Sequence, residues 1–137
     1  MHAVTLSFLW HFHQPLYRDV RTRKMFMPWV RLHGIKDYTG MALLLEEFPE
    51  IRCTANFSPG LLQQIEAYAA GETDSSLELL RDPSTLSDDE RARMLETFFF
   101  AHPDQMIGAF PRYRDLQRRR QSGERFSNAD CVDLQVL

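Results

Sequence analysis

The stretch VTLSFLWHFHQP, residues 4–15, has the composition of a strand that ends at a proline. Val4, Leu6, Phe8, Trp10 and Phe12 share one side of an extended backbone, and Thr5, Ser7, Leu9, His11 and His13 share the other. The first face is apolar throughout and suits a covering layer of helices. The second turns polar only toward its C-terminal end. Proline cannot extend a central strand, so the element over residues 4–12 stops before Pro15.

Moving outward, residues 51–57 read as a second strand, with Ile51, Cys53, Ala55 and Phe57 opposite Arg52, Thr54 and Asn56. Between the two strands, residues 35–48 carry Ile35, Tyr38, Ala42, Leu45 and Phe48 at helical spacing, and Pro49 follows. A strand, a helix and a strand in this order form a βαβ unit and imply a parallel pair. The next helix has clear punctuation. Ser58 suits the N-cap, Pro59 the first turn and Gly71 the position just past the end, while Leu61, Leu62, Ile65, Tyr68 and Ala69 supply an apolar face. Ser87 and Glu90 form a capping-box pattern before Met94, Leu95, Phe98 and Phe99. Residues 111–121 predict a further helix stopped by Gly123, and Ser127 caps another that runs to Leu137.

The 137 residues are 44% hydrophobic and 26% charged, a globular composition. Sixteen basic against 19 acidic residues give a net charge of -3, which does not favour nucleic-acid or membrane-surface partners. No apolar run approaches the ~20 residues of a membrane span. The opening residues lack the basic region of a signal peptide. Cys53 and Cys131 show neither metal-type spacing nor a disulfide framework, so a reducing, cytoplasmic location is expected.

In parallel α/β architectures the ligand site lies beyond the carboxyl ends of the strands. His11 and His13 occupy that end of the first strand, and Asn56 and Ser58 that of the second. The alternative is that the histidines pack in a core; for Ser58, capping its helix is the preferred reading. The connection over residues 16–34 leaves from the same rim and is long for a βα loop. It carries Tyr17, Phe26 and Trp29 beside Arg18, Arg21, Arg23, Lys24, Arg31 and His33. Flat aromatic faces suit the apolar faces of sugar rings, although such rings also anchor loops. The arginines read as solvated, and residues 118–120, Arg-Arg-Arg, as an exposed helix face rather than a phosphate site.

Carboxylates are plentiful but poorly placed for catalysis. Asp37, Glu46, Glu47, Glu50, Glu66 and Asp88 to Glu90 fall on helices or at their ends, and Asp19 is the one near the rim. A retaining glycosidase needs two carboxyl groups about 5–5.5 Å apart. No such pair is visible.

The segment WHFHQPLY, with His13, Gln14 and Pro15 at the end of the opening strand, resembles the first signature region of glycoside hydrolase family 57. The segments MPWVRLHGIKDYTGMALLLEEFPEI, NFSPGLLQQIEAY, MIGAFPRYRDL and DLQVL are similar to that family's N-terminal barrel segments, in the same order. The resemblance implies an α/β fold, the N-terminal portion of an incomplete (β/α)7 barrel. It also implies a retaining mechanism with no required cofactor, on α-glucans or their oligosaccharides. Family activities include α-amylase, branching enzyme, 4-α-glucanotransferase, amylopullulanase and α-galactosidase. Their nucleophilic glutamate and acid/base aspartate stand on later strands, and neither signature is found here. By the same resemblance His13 lines the sugar subsite at the cleavage point. His11, Trp29, His33 and Asn56 complete the candidate substrate-binding set.

Two other classes compete. His-x-His at the end of a first barrel strand is also the metal-ligand pattern of amidohydrolases, in which His11 and His13 would hold zinc. A non-catalytic carbohydrate-binding module is the other. Two parallel strands make a poor sheet alone, and the last helix meets no stop signal. Residues 1–137 are therefore expected to be one incomplete domain whose partner is the remainder of a catalytic barrel.

Overall fold

The computed structural model describes residues 4–137, and these divide into two units between Ser75 and Ser76. The fold is mixed α/β, with two parallel strands in the first unit and six α-helices along the described chain.

In the first unit β1 (Phe8–Phe12) pairs in parallel with β4 (Cys53–Phe57), from Phe8 opposite Cys53 to Phe12 opposite Phe57. Both strands start later than their composition predicts. In this register residues 4–7 would face residues 49–52, where Pro49 has no N–H to give and a turn closes from Phe48 O to Ile51 N. Without a partner, Val4 and Leu6 are exposed.

The expected helix over residues 35–48 begins earlier, directly after Pro28. It runs as α1 (Trp29–His33), a π turn (Gly34–Tyr38) and α2 (Thr39–Glu47). A π turn inserts a residue into the α-helical repeat and rotates the helix beyond it. The stripe counted at 3.6 residues per turn is consequently broken: Ile35 and Phe48 are exposed, while Val30, absent from that stripe, is buried.

The loop over residues 16–34 is also more structured than expected. It contains a short antiparallel hairpin, β2 (Arg18–Asp19) and β3 (Lys24–Met25). Asp19 builds the turn: its Oδ1 accepts the N–H of Arg21 at 2.7 Å and of Thr22 at 3.3 Å, and its carbonyl accepts Arg23 N–H at 2.8 Å. Arg23 takes a left-handed φ of 57° to close it. Met25, 1% exposed, bridges to Asp74.

α3 (Pro59–Ala69) has the expected start and end. Gly71, at φ 90°, ends it with N–H bonds from Gly71 to Tyr68 O and from Glu72 to Ala67 O, the two bonds of a Schellman motif. Its buried face is Leu61, Gln64 and Ala67; Leu62 and Ala69, expected inside, are exposed. Phe12, Val30 and Leu61 form the small core, lined by Trp10, Tyr17, Tyr38, Met41, Ile65 and Tyr68. Phe12 stacks on Phe57 at 4.4 Å and meets Tyr38 edge-on at 5.0 Å.

The second unit is helical: α4 (Asp88–Thr97), α5 (Pro111–Gln121) and α6 (Asn128–Val136). Both expected capping signals form full capping boxes, Ser87 with Glu90 and Ser127 with Asp130. Gly123, at φ 72°, closes α5. A Cβ at Gly108 would lie 2.6 Å from Asp104 O, so that site accepts only glycine without a shift. Arg118, Arg119 and Arg120 are not a bare solvated face. Arg119 pairs with Asp130 and Glu124, Arg118 with Asp115, and Arg120 lies over the Phe99 ring.

Candidate functional site

The rim of the first unit is set by strand alternation. Because β1 and β4 run in parallel and in register, His11 and Asn56 are direct neighbours on the same face. His11 Nδ1 lies 2.8 Å from Asn56 Oδ1, so the ring donates from Nδ1 to the amide oxygen and keeps Nε2 for another partner. His13, two residues on, keeps its ring nearly parallel to that of His11, with centroids 6.0 Å apart. All three side chains are exposed rather than packed in a core.

Ser58 extends the ladder by one bond, its N–H donating to Phe12 O at 3.0 Å. Its backbone takes the N-cap position of α3, but its side chain does not cap: the Oγ is buried and has no hydrogen-bond partner. The preferred sequence reading of this hydroxyl is thus corrected. Pro59, which lacks an N–H, starts the helix after it.

A second group stands on α1 and the π turn. His33 Nδ1 is 2.5 Å from Asp37 Oδ2, a pair made possible by their four-residue spacing. Its ring is 6.4 Å from Trp29 and 6.2 Å from Tyr38. Gln14 joins the two groups, donating from Nε2 to Tyr38 Oη at 3.2 Å and accepting from Tyr17 Oη at 3.5 Å. Tyr38 and Asp37 were not among the expected site residues. The His33/Asp37 spacing and the position of Gln14 beside His13 were the signals available for them.

Among the loop arginines Arg21 and Arg23 are exposed as expected, whereas Arg18 and Arg31 are drawn into ion pairs. Arg18 holds Glu72 through two hydrogen bonds of 2.6 Å, and Arg23 reaches the same carboxylate at 2.9 Å. Arg18, then Arg23, keeps the Glu72 carboxyl down at about 2. Arg31 pairs at 2.7 Å with Asp74, which is fully buried and also accepts from Tyr68 Oη at 3.0 Å. Burial, followed by the neighbouring Asp74 charge, raises the Tyr68 phenol. These pairs fasten the hairpin and α1 to residues 72–74. An apolar hollow of about 270 Å³ lies nearby, lined by Val30, Tyr38, Phe57, Ile65 and Tyr68 among others.

The zinc alternative needs further ligands near His11 and His13. Among the described residues no group of three or more His, Cys, Asp or Glu side chains is gathered as a metal would require. No helix of the described residues is long and apolar enough to cross a membrane.

Comparison with known proteins agrees with the resemblance carried by the histidine strand. No curated protein and no solved structure matches the chain. The model of glycosyl hydrolase family 57 matches residues 7–127, from β1 to the cap of α6. Over most of its length, then, this chain belongs to glycosyl hydrolase family 57.

Proposed function

We propose that the chain is the sugar-binding first part of a retaining glycosidase or transglycosidase acting on α-glucans, in an incomplete (β/α)7 barrel. The observation that carries this reading is the convergence of His11, His13 and Asn56 at the carboxyl ends of two parallel strands, in a chain of this family. Leu9, 67% exposed, and the uncovered flanks of both strands fit a place in a longer sheet.

In a retaining reaction one carboxylate attacks the anomeric carbon while a second carboxyl group protonates the leaving oxygen. Three acids of the first unit are committed elsewhere: Glu72 and Asp74 to arginines, Asp19 to its turn. The catalytic acids are assigned to the remainder of the barrel, and this chain's side chains bind and orient. His13 donates to or accepts from hydroxyls of the sugar at the cleavage point. His11, held by Asn56 through Nδ1, turns Nε2 to a hydroxyl, and the Asn56 amide nitrogen can donate. Trp29, with His33 behind it, offers a flat face to a neighbouring sugar. The unbridged thiols Cys53 and Cys131 fit a cytoplasmic setting.

The test is His13→Ala in the enzyme with its full catalytic domain, assayed on amylose and maltooligosaccharides. Loss of one oriented hydrogen-bonding group at the reaction centre is expected to lower kcat/KM by roughly 100-fold. Unchanged kcat/KM would remove His13 from the site. NMR of the first-formed anomer reads retention directly.

A further inference from the structure

We infer that Gln64 is a positioning residue for this site: its buried carboxamide fixes the chain at Pro15 and Tyr17 and so aims His13 and Gln14. Gln64 is 0% exposed, an unusual place for a carboxamide unless all its groups are paired. Here they are. Nε2 donates to Pro15 O at 3.0 Å and to Gly60 O at 2.9 Å, and Oε1 accepts the Tyr17 N–H at 2.7 Å. The amide orientation is forced, since the opposite one would set an oxygen against two carbonyls.

The bond to Gly60 lies within the helix. The other two reach chain 49 and 47 residues away and flank Leu16. A residue on a parallel strand opposite Leu16 would make the same pair, donating to the carbonyl before it and accepting the N–H after it. The side chain therefore stands in for a strand where β4 has already turned into α3. β1 loses its backbone partner after Phe12 O accepts Ser58 N–H. From there the chain crosses His13 and Gln14 and is caught again at Pro15. The two residues are a short span anchored at both ends, one anchor backbone and the other Gln64.

The catalytic consequence rests on the α-glucan reading, whereas the clamp does not. The experiment combines hydrogen exchange at the Tyr17 amide with kinetics on a maltooligosaccharide, in the full-length enzyme. For Gln64→Leu, Tyr17 exchange should rise at least about tenfold, and kcat/KM should fall roughly 10–100-fold, as misplacement of a site residue by an ångström does. Gln64→Glu keeps the acceptor for Tyr17 but turns a carboxylate toward Pro15 O and Gly60 O. Its kcat/KM deficit per folded molecule, with the folded fraction read by circular dichroism at each pH, should shrink as pH falls and the protonated carboxyl regains a donor; a recovery that only tracks the folded fraction overturns the positioning role. Unchanged Tyr17 exchange or unchanged kcat/KM in Gln64→Leu overturns the inference. If that variant does not fold, a wild-type pH profile for Gln64→Glu overturns it instead. A wild-type enzyme that cleaves no α-glucan overturns the functional reading alone, and the exchange data still decide the clamp.

Discussion

Over Ser76–Leu137 ten buried side chains, among them Met94, Ile107, Leu116 and Leu134, form one core, whereas the cluster in the first unit has three, Phe12, Val30 and Leu61. The helical unit is held by close apolar packing, with its charges arranged around Arg112 and Arg119 at the margin. The strand unit depends more on directed polar bonds: Arg18 and Arg23 on Glu72, Arg31 and Tyr68 on Asp74, and Gln64 on the chain after β1. On the proposed reading the difference reflects the rim that the strand unit leaves open: His11, His13 and Asn56 are exposed, and the polar groups of that unit are paired by bonds of defined direction where the helical unit has a thicker apolar layer.

The contrast can be broken most directly in the cores. Leu116→Ala removes a side chain that is 0% exposed and should cost about 3–5 kcal/mol in denaturant unfolding. A cost below about 1 kcal/mol would show a loose helical core and erase the distinction. Asp130→Ala, which strips Arg112 and Arg119 of a carboxylate that is 4% exposed and also removes the Ser127 capping box, should cost about 3 kcal/mol by the same assay.

A pH titration sharpens the polar side of the comparison. Glu72 sits at about 2 when folded against 4.5 without its partners, so its contribution is complete above about pH 4.5 and is lost as pH falls toward 2. Hydrogen-exchange protection over residues 18–25, taken relative to the intrinsic exchange rate at each pH, should therefore fall across that window. Glu72→Gln should already exchange fast at neutral pH and show no such step; an acid step that survives in this variant would assign the effect elsewhere.

Smaller effects separate the two kinds of helix start. Ser87→Ala loses a side-chain cap and should cost ~1 kcal/mol. Ser58→Ala removes a hydroxyl that bonds to nothing and should be within about 0.5 kcal/mol of neutral. A Ser58→Ala loss as large as that of Ser87→Ala would mean that the hydroxyl finds a partner in solution.

The features legible in the sequence are those that neighbouring residues decide among themselves. The caps at Ser87 and Ser127 and the glycine stops at Gly71 and Gly123 are local chemistry, and all four form. The pairing of His11 with Asn56 is accessible too, because a period of two and a parallel order leave little freedom. The loop arginines escape such a reading because their partners, Glu72 and Asp74, lie more than forty residues on, and no local pattern joins them. Strand starts at Phe8 and Cys53 depend on where the facing chain turns. Gln64 looks in the sequence like one polar residue in a helix; its position at the centre of the buried face, three residues from both Leu61 and Ala67, is the visible sign of its role.

The π turn at Gly34–Tyr38 acts as a phase shifter. Each residue of an α-helix advances the azimuth by about 100°, so one residue more or fewer re-aims everything beyond it without altering a single side chain. Deleting Lys36 would remove the residue that the wider π turn takes up, so that α1 and α2 merge into one uninterrupted helix with Trp29 and His33 at nearly the same azimuth to Met41; straightening the turn at constant length is what would swing them about a third of a revolution. On the proposed reading, Trp29 and His33 can thus keep their aim when the chain gains or loses one residue at this turn.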